Sequence, residues 1–102
     1  MKITGSCQGG VLTLRFQGDL DHHVSGNAME ALSERIDAFL PRKCMLDLRG
    51  VSFMDSSGIA LILRAEKKMR ELDGCLYLSG VPEQPMRVLR AAGADRRLTI
   101  TE

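Results

Sequence analysis

The stretch Asp47-Leu48-Arg49-Gly50-Val51-Ser52-Phe53-Met54-Asp55-Ser56-Ser57-Gly58 reads as a strand end, a short loop and the start of a helix, with two serines directly after an acidic residue. The first turn of a helix carries up to four backbone N–H groups without intrahelical partners, and the aligned peptide dipoles make it partly positive. A phosphate added there finds donors and a favourable field. Phosphorylation brings about −1.5 to −2 charges and three acceptor oxygens, so one modified serine beside Asp55 changes the sign and bulk of a small exposed surface without unfolding anything. The same residues also have a plainer role, with Asp55 or Ser56 as N-cap, Ser57 as a first-turn filler and Gly58 as a point of close packing. Spacing alone does not choose between the two serines.

A second group, Gly18-Asp19-Leu20-Asp21-His22-His23, contains both histidines of the chain. Adjacent histidines with no third ligand at suitable spacing read as surface or capping residues, so no metal is assigned. Cys7, Cys44 and Cys75 are odd in number and form no Cys-x-x-Cys pair, and they read as reduced core cysteines. A serine hydrolase using Ser57 with His22 or His23 is a remote alternative: there is no Gly-x-Ser-x-Gly elbow, and no histidine follows Ser57.

These residues need elements to position them. Val11 to Phe16 alternates, with Leu12, Leu14 and Phe16 on one side, and Lys2 to Cys7 is a weaker strand joined to it through a Gly9-Gly10 turn. Ser25 is expected as the N-cap of a helix carrying Met29, Leu32, Ile36 and Phe39, which Pro41 ends. Cys44 to Leu48 alternates again. After Asp55-Ser56-Ser57, Ile59, Ile62, Ala65, Met69 and Leu72 form the stripe of a second helix that Gly74 is expected to cap. Arg64, Lys67, Lys68 and Arg70 read as its solvated face. Cys75 to Ser79 is a strand, Pro82 opens a third helix running to Gly93, and Leu98 to Thr101 is a last strand. The order β-β-α-β-α-β-α-β predicts an α/β fold with a mixed, mostly parallel sheet of four to five strands and three to four helices. Its strands are not unbroken apolar runs, so one sheet face should be covered more completely than the other.

With 102 residues, 44% hydrophobic and 26% charged, the chain suits one globular domain with its own core. A formal net charge of +1, three Phe, one Tyr and no Trp argue against nucleic acid as a partner. The N-terminus lacks the pattern of a signal peptide, and no window approaches the ~20 apolar residues of a membrane helix, which predicts a cytoplasmic protein without a membrane partner.

Phe53-Met54-Asp55-Ser56-Ser57-Gly58, together with Gly18-Asp19-Leu20-Asp21-His22-His23, resembles the signature of STAS domains of the anti-sigma factor antagonist family, nearest its sporulation branch. The element order extends the resemblance over nearly the whole chain, implying a single STAS domain across residues 1–102. It implies a non-enzymatic regulator of transcription that works by partner switching. Unphosphorylated, such a protein binds an anti-sigma factor that is also a serine kinase, and the sigma factor is freed. The kinase then uses ATP to phosphorylate the second serine of the motif, the phosphorylated form lets go, and a metal-dependent PP2C-type serine phosphatase resets the cycle. The chain itself needs no cofactor.

On this resemblance Ser57 is the phosphoacceptor. Asp55 orients its hydroxyl or bonds the kinase, with capping as the alternative, and Ser56 shapes the loop. Gly58 keeps the surface beside Ser57 open for a partner backbone, or else packs internally. Asp21 and the neighbouring His22 are partner contacts, expected at the same end of the sheet as Ser57. The nearly all-apolar Ile59–Leu63 run is expected to be covered in part by a neighbouring helix or by a partner, and the resemblance favours partner contact for part of this surface. A STAS module that binds a small ligand or serves as a scaffold, its serine never phosphorylated, is the second reading. Many relatives continue into a further C-terminal helix, so contacts made there are expected to be missing beyond Glu102.

Overall fold

A computed structural model describes residues 1–101. The chain opens with a hairpin of β1 (Lys2–Gln8) and β2 (Val11–Leu20). Gly9 and Gly10 at its turn have φ of 57° and 80°. Two successive left-handed residues match the twist of the flanking strands, and glycine adopts them without a Cβ clash. Then follow α1 (Ser25–Phe39), β3 (Lys43–Met54), α2 (Ser56–Glu71), β4 (Cys75–Ser79), α3 (Glu83–Ala91), one 3-10 turn (Ala94–Arg96) and β5 (Thr99–Thr101). The order expected from the sequence is the order observed.

The five strands lie in the order β1-β2-β3-β4-β5, antiparallel in the hairpin and parallel elsewhere. Each crossover steps one strand in the same direction, so right-handed connections put the helices in one layer, with α2 packed between α1 and α3. Leu12, Leu14 and Phe16 of β2, Cys44, Leu46 and Leu48 of β3, and Leu76 and Leu78 of β4 make the buried face of the sheet. Ala28, Leu32 and Ile36 of α1 and Ile59, Ile62, Ala65 and Met69 of α2 close over it. The alternate strand residues, Thr13, Met45 and Tyr77 in one row and Arg15, Asp47 and Ser79 in the next, turn away from the helices.

β3 is longer than the alternation of Cys44 to Leu48 indicates. Past Leu48 its buried residues are Val51 and Met54, spaced by three rather than two. The register against β2 slips twice there, between Arg15 and Gln17 and between Gly18 and Asp19, so extra residues bulge out of β3 and the two-residue period fails. The connection to α2 shrinks to Asp55 alone.

Four further expectations are corrected. Ser25 is the first helical residue of α1 rather than its cap; Val24 holds the cap position with no side-chain hydrogen bond. The buried stripe of α1 runs through Ala28, and Phe39 is 55% exposed. Gly74 is not the left-handed residue after α2. Asp73 is, with φ of 58°, and Gly74 is held instead by close approach, since a Cβ there would lie 2.8 Å from the Arg42 carbonyl oxygen. Of the cysteines only Cys44 is buried, Cys7 is half-buried and Cys75 is exposed.

Candidate functional site

The carboxyl ends of β2 and β3 pair through Leu20 and Met54, and this brings the two sequence segments together. The Asp55 N–H donates to the Leu20 carbonyl at 3.4 Å, binding the two exits to each other. From there β2 leads into Asp21-His22-His23 and β3 into α2. Asp21, His22, Asp55, Ser56, Ser57 and Gly58 therefore all lie at one pole of the molecule.

Asp55 is the N-cap of α2. Its Oδ1 accepts the Ser57 N–H at 2.8 Å, and its Oδ2 accepts the His22 backbone N–H at 3.2 Å. The His22 ring Nδ1 stands 3.6 Å from the same Oδ2. Partial burial works against the charged carboxylate, but the N–H groups of Ser57, His22 and Gly58 and the His22 side chain outweigh it, and the Asp55 pKa falls below the usual aspartate value. A carboxylate so held is a poor proton acceptor and a good anchor. The capping role is thus the one these two oxygens carry, both of them on backbone N–H groups.

Asp21 performs a parallel task one strand away. Its Oδ1 accepts the His23 N–H at 3.0 Å, while its carbonyl accepts the N–H groups of Val24 at 3.3 Å and Ser25 at 3.0 Å. The aspartate thus folds the turn into α1, which explains how that helix starts without a side-chain cap. The His22 and His23 rings are exposed, with centroids 4.0 Å apart and planes tilted by 38°. No cluster of three or more His, Cys, Asp or Glu able to hold a metal occurs among the described residues.

The two serines differ in setting. Ser56 is exposed at the first position of α2. Ser57, at the second, is half-buried on a shallow cleft of about 170 Å³ between α1 and α2, facing Ser25, Gly26 and Met29. It is open to an approaching group and also backed by the fold.

Gly58 is turned the other way. It is buried, and a Cβ there would lie 2.6 Å from Met54 Cγ and 2.9 Å from the Leu20 carbonyl oxygen. Its position is one of internal close packing, which lets the first turn of α2 sit directly on the strand ends; it does not form the open surface beside Ser57. Of the two expected covers for the Ile59–Leu63 run, the fold itself supplies most of it. Ile59, Leu61 and Ile62 are buried and Leu63 packs against the core, because α2 is the middle helix of the layer. Only Ala60 of that run is exposed.

Gln84, which no motif in the sequence marks, also belongs to this pole. From the first turn of α3 its Oε1 accepts the Met54 N–H and its Nε2 donates to the Met54 carbonyl, both at 2.9 Å. A side-chain amide thus pairs with the last residue of β3 as a neighbouring strand would, and fixes the backbone that delivers Asp55. Phe53, beside it, stays 42% exposed.

The profile of the STAS domain matches residues 2–102. The chain belongs to the STAS domain family. A curated relative, the anti-sigma F factor antagonist of Paenibacillus polymyxa, is 33% identical over 91 residues, covering 89% of this chain and 78% of that protein. Among solved structures, this STAS domain is similar to an anti-sigma factor antagonist described as putative, from Thermotoga maritima, with a TM-score of 0.89 at 20% identity, covering 98% of this chain and 86% of that one. It is also similar to the phosphorylated form of the Bacillus cell fate determinant SpoIIAA, with a TM-score of 0.72 at 23% identity, covering 99% and 92%. At these identities the two structures establish the fold of this STAS domain, with its five-stranded mixed sheet. No helix among its described residues is long and apolar enough to cross a membrane.

Proposed function

We propose that this STAS domain is an anti-sigma factor antagonist whose affinity for its partner is set by phosphorylation of Ser57. The curated relative of that name supports the coarser part, an antagonist with an anti-sigma factor as partner. One observation carries the finer part. Ser57 occupies the second position of a sixteen-residue helix, on an open cleft, with its N–H engaged by Asp55.

In this reading the partner is an anti-sigma factor that is also a serine kinase. The Ser57 Oγ attacks the γ-phosphorus of the kinase's ATP in line, the bond to the β–γ bridging oxygen breaks, and ADP leaves. The hydroxyl proton goes to a base on the kinase, because the Asp55 carboxylate is committed to two backbone N–H groups and its pKa is lowered. Asp55 and Asp21 shape the two loops that the partner meets, Ser56 adds an exposed hydroxyl, and the His22 and His23 rings form the rim. Added charge on Ser57 then repels or displaces the partner, and a metal-dependent serine phosphatase restores the binding form. Sporulation is the process that the motif's resemblance to the sporulation branch favours, and a cytoplasmic setting suits a kinase supplied with ATP.

Incubation with the co-encoded kinase and ATP, followed by intact-mass spectrometry and site mapping, tests this. One phosphate on Ser57 in the parent and none on Ser57→Ala is the expected result. Phosphate on Ser56 instead, or on neither serine, would overturn it.

A further inference from the structure

We propose that Arg64 holds the phosphate carried by Ser57 within the cleft between α1 and α2, so that the modification folds back on this chain instead of standing out in solvent. The inference rests on Ser57 being the phosphoacceptor.

Ser57 and Arg64 line the same cleft from the same helix. Seven residues apart, they are separated by about two turns and ~10 Å along the axis, and they lie on one face. Side chains on a helix lean toward its N-terminus, so the long Arg64 stem runs back over the preceding turns toward Ser57. Ala60 lies between them and leaves that path low. Across the cleft stand Ser25 and Gly26, and a Cβ at Gly26 would meet nothing within 4 Å. A cleft of about 170 Å³ has room for several waters at roughly 30 Å³ each, and so for a phosphoryl group that displaces them.

The neighbouring charges favour this cation. On α2, Lys68 is engaged by Asp37 at 2.8 Å and Arg70 by Glu66 at 3.0 Å, whereas Arg64 makes no ion pair among the described residues. The first turn of α1 contains no acidic residue to repel an anion in the cleft. On the opposite side of Ser57 the Asp55 carboxylate does repel one, and so biases the phosphate toward Arg64. The guanidinium fork matches phosphate oxygens in a two-point contact that lysine does not reproduce. Held this way, the phosphate fills the cleft as well as charging it.

The test is a 31P NMR pH titration of the full chain with phosphoserine installed at position 57 during synthesis. An unperturbed phosphoserine titrates near pH 6, and a guanidinium contact favours the dianion and lowers the midpoint. Arg64→Gln should raise the midpoint by roughly 0.3 to 0.7 unit, the size expected of one exposed ion pair. Arg64→Lys should fall between the two, and Arg70→Gln should match the parent. Superimposable titrations of the parent and Arg64→Gln would overturn the proposal, as would an equal shift in Arg70→Gln. No kinase is involved, so a failure here leaves the assignment of the phosphoacceptor standing. A kinase that ignores Ser57 would defeat that assignment by its own, separate result.

Discussion

The Asp55 carboxylate accepts the backbone N–H of His22, a residue 33 positions earlier, at 3.2 Å, and with its other oxygen it starts α2. One side chain thereby fixes the spacing between the β2 exit and the serine-bearing turn. Removing it loosens two loops together. Asp55→Ala is expected to lose about 1–2 kcal/mol in urea denaturation, and Asp55→Asn, whose single oxygen keeps the Ser57 N–H while its NH2 cannot accept from His22, about half of that.

The same carboxylate gives a pH dependence with a definite sign. Its folded pKa lies below its unfolded value of about 3.9, so its contribution to stability is complete above about pH 4 and is lost as the pH falls through the folded value. The parent should therefore lose stability on acidification more steeply than Asp55→Asn. Parallel curves for the two between pH 5 and pH 2.5 would show that Asp55 is not specially stabilised in the folded state.

Two glycines at the same pole should respond oppositely to alanine. At Gly58 the added methyl meets Met54 Cγ at 2.6 Å and the Leu20 carbonyl oxygen at 2.9 Å, and the backbone atom cannot swing aside. Gly58→Ala should lower stability by about 1–2 kcal/mol after the gain in helix propensity is subtracted. At Gly26 nothing lies within 4 Å of the new Cβ, and Gly26→Ala should raise stability by up to about 1 kcal/mol. Thermal melts of the two variants decide both.

Gln84→Ala removes both hydrogen bonds to the buried Met54 and leaves its backbone groups without those partners. A loss of about 1–3 kcal/mol is expected. Hydrogen exchange of the Met54 amide should accelerate by more than the global change in stability accounts for. Exchange that tracks only the global change would mean that the Gln84 amide does not pin the strand end locally.

The cysteines should separate by reactivity. Burial, with a smaller contribution from Cys7, pushes the Cys44 thiol up to about 12, so it stays protonated and covered. Alkylation followed by peptide mapping should modify exposed Cys75 first, half-buried Cys7 later, and Cys44 only on unfolding. Early modification of Cys44 would mean that the face between sheet and helices opens readily.

Local chemistry made much of this pole readable from the sequence. An acidic residue before two serines, an apolar helix stripe and a strand end specify an N-cap and a serine in the first turn of a helix, and Gly9-Gly10 specifies a hairpin turn. The rest depended on long-range geometry. The bulges in β3 break its two-residue period, so the alternation stops at Leu48 while the strand runs to Met54. Ser25 looked like a cap, but Asp21 folds the turn into α1 and its carbonyl accepts the N–H groups of Val24 and Ser25. The direction in which Gly58 points depends on how α2 sits over Leu20. Nothing in the spacing around Gln84 tells that its side chain reaches a strand end 30 residues earlier.

Partner switching at Ser57 is tested most directly by calorimetric titration of the anti-sigma factor kinase with the unphosphorylated chain and with the chain carrying phosphoserine at position 57. Binding by the first, and a loss of at least tenfold in affinity for the second, is the predicted result. Equal affinity for the two forms would contradict it.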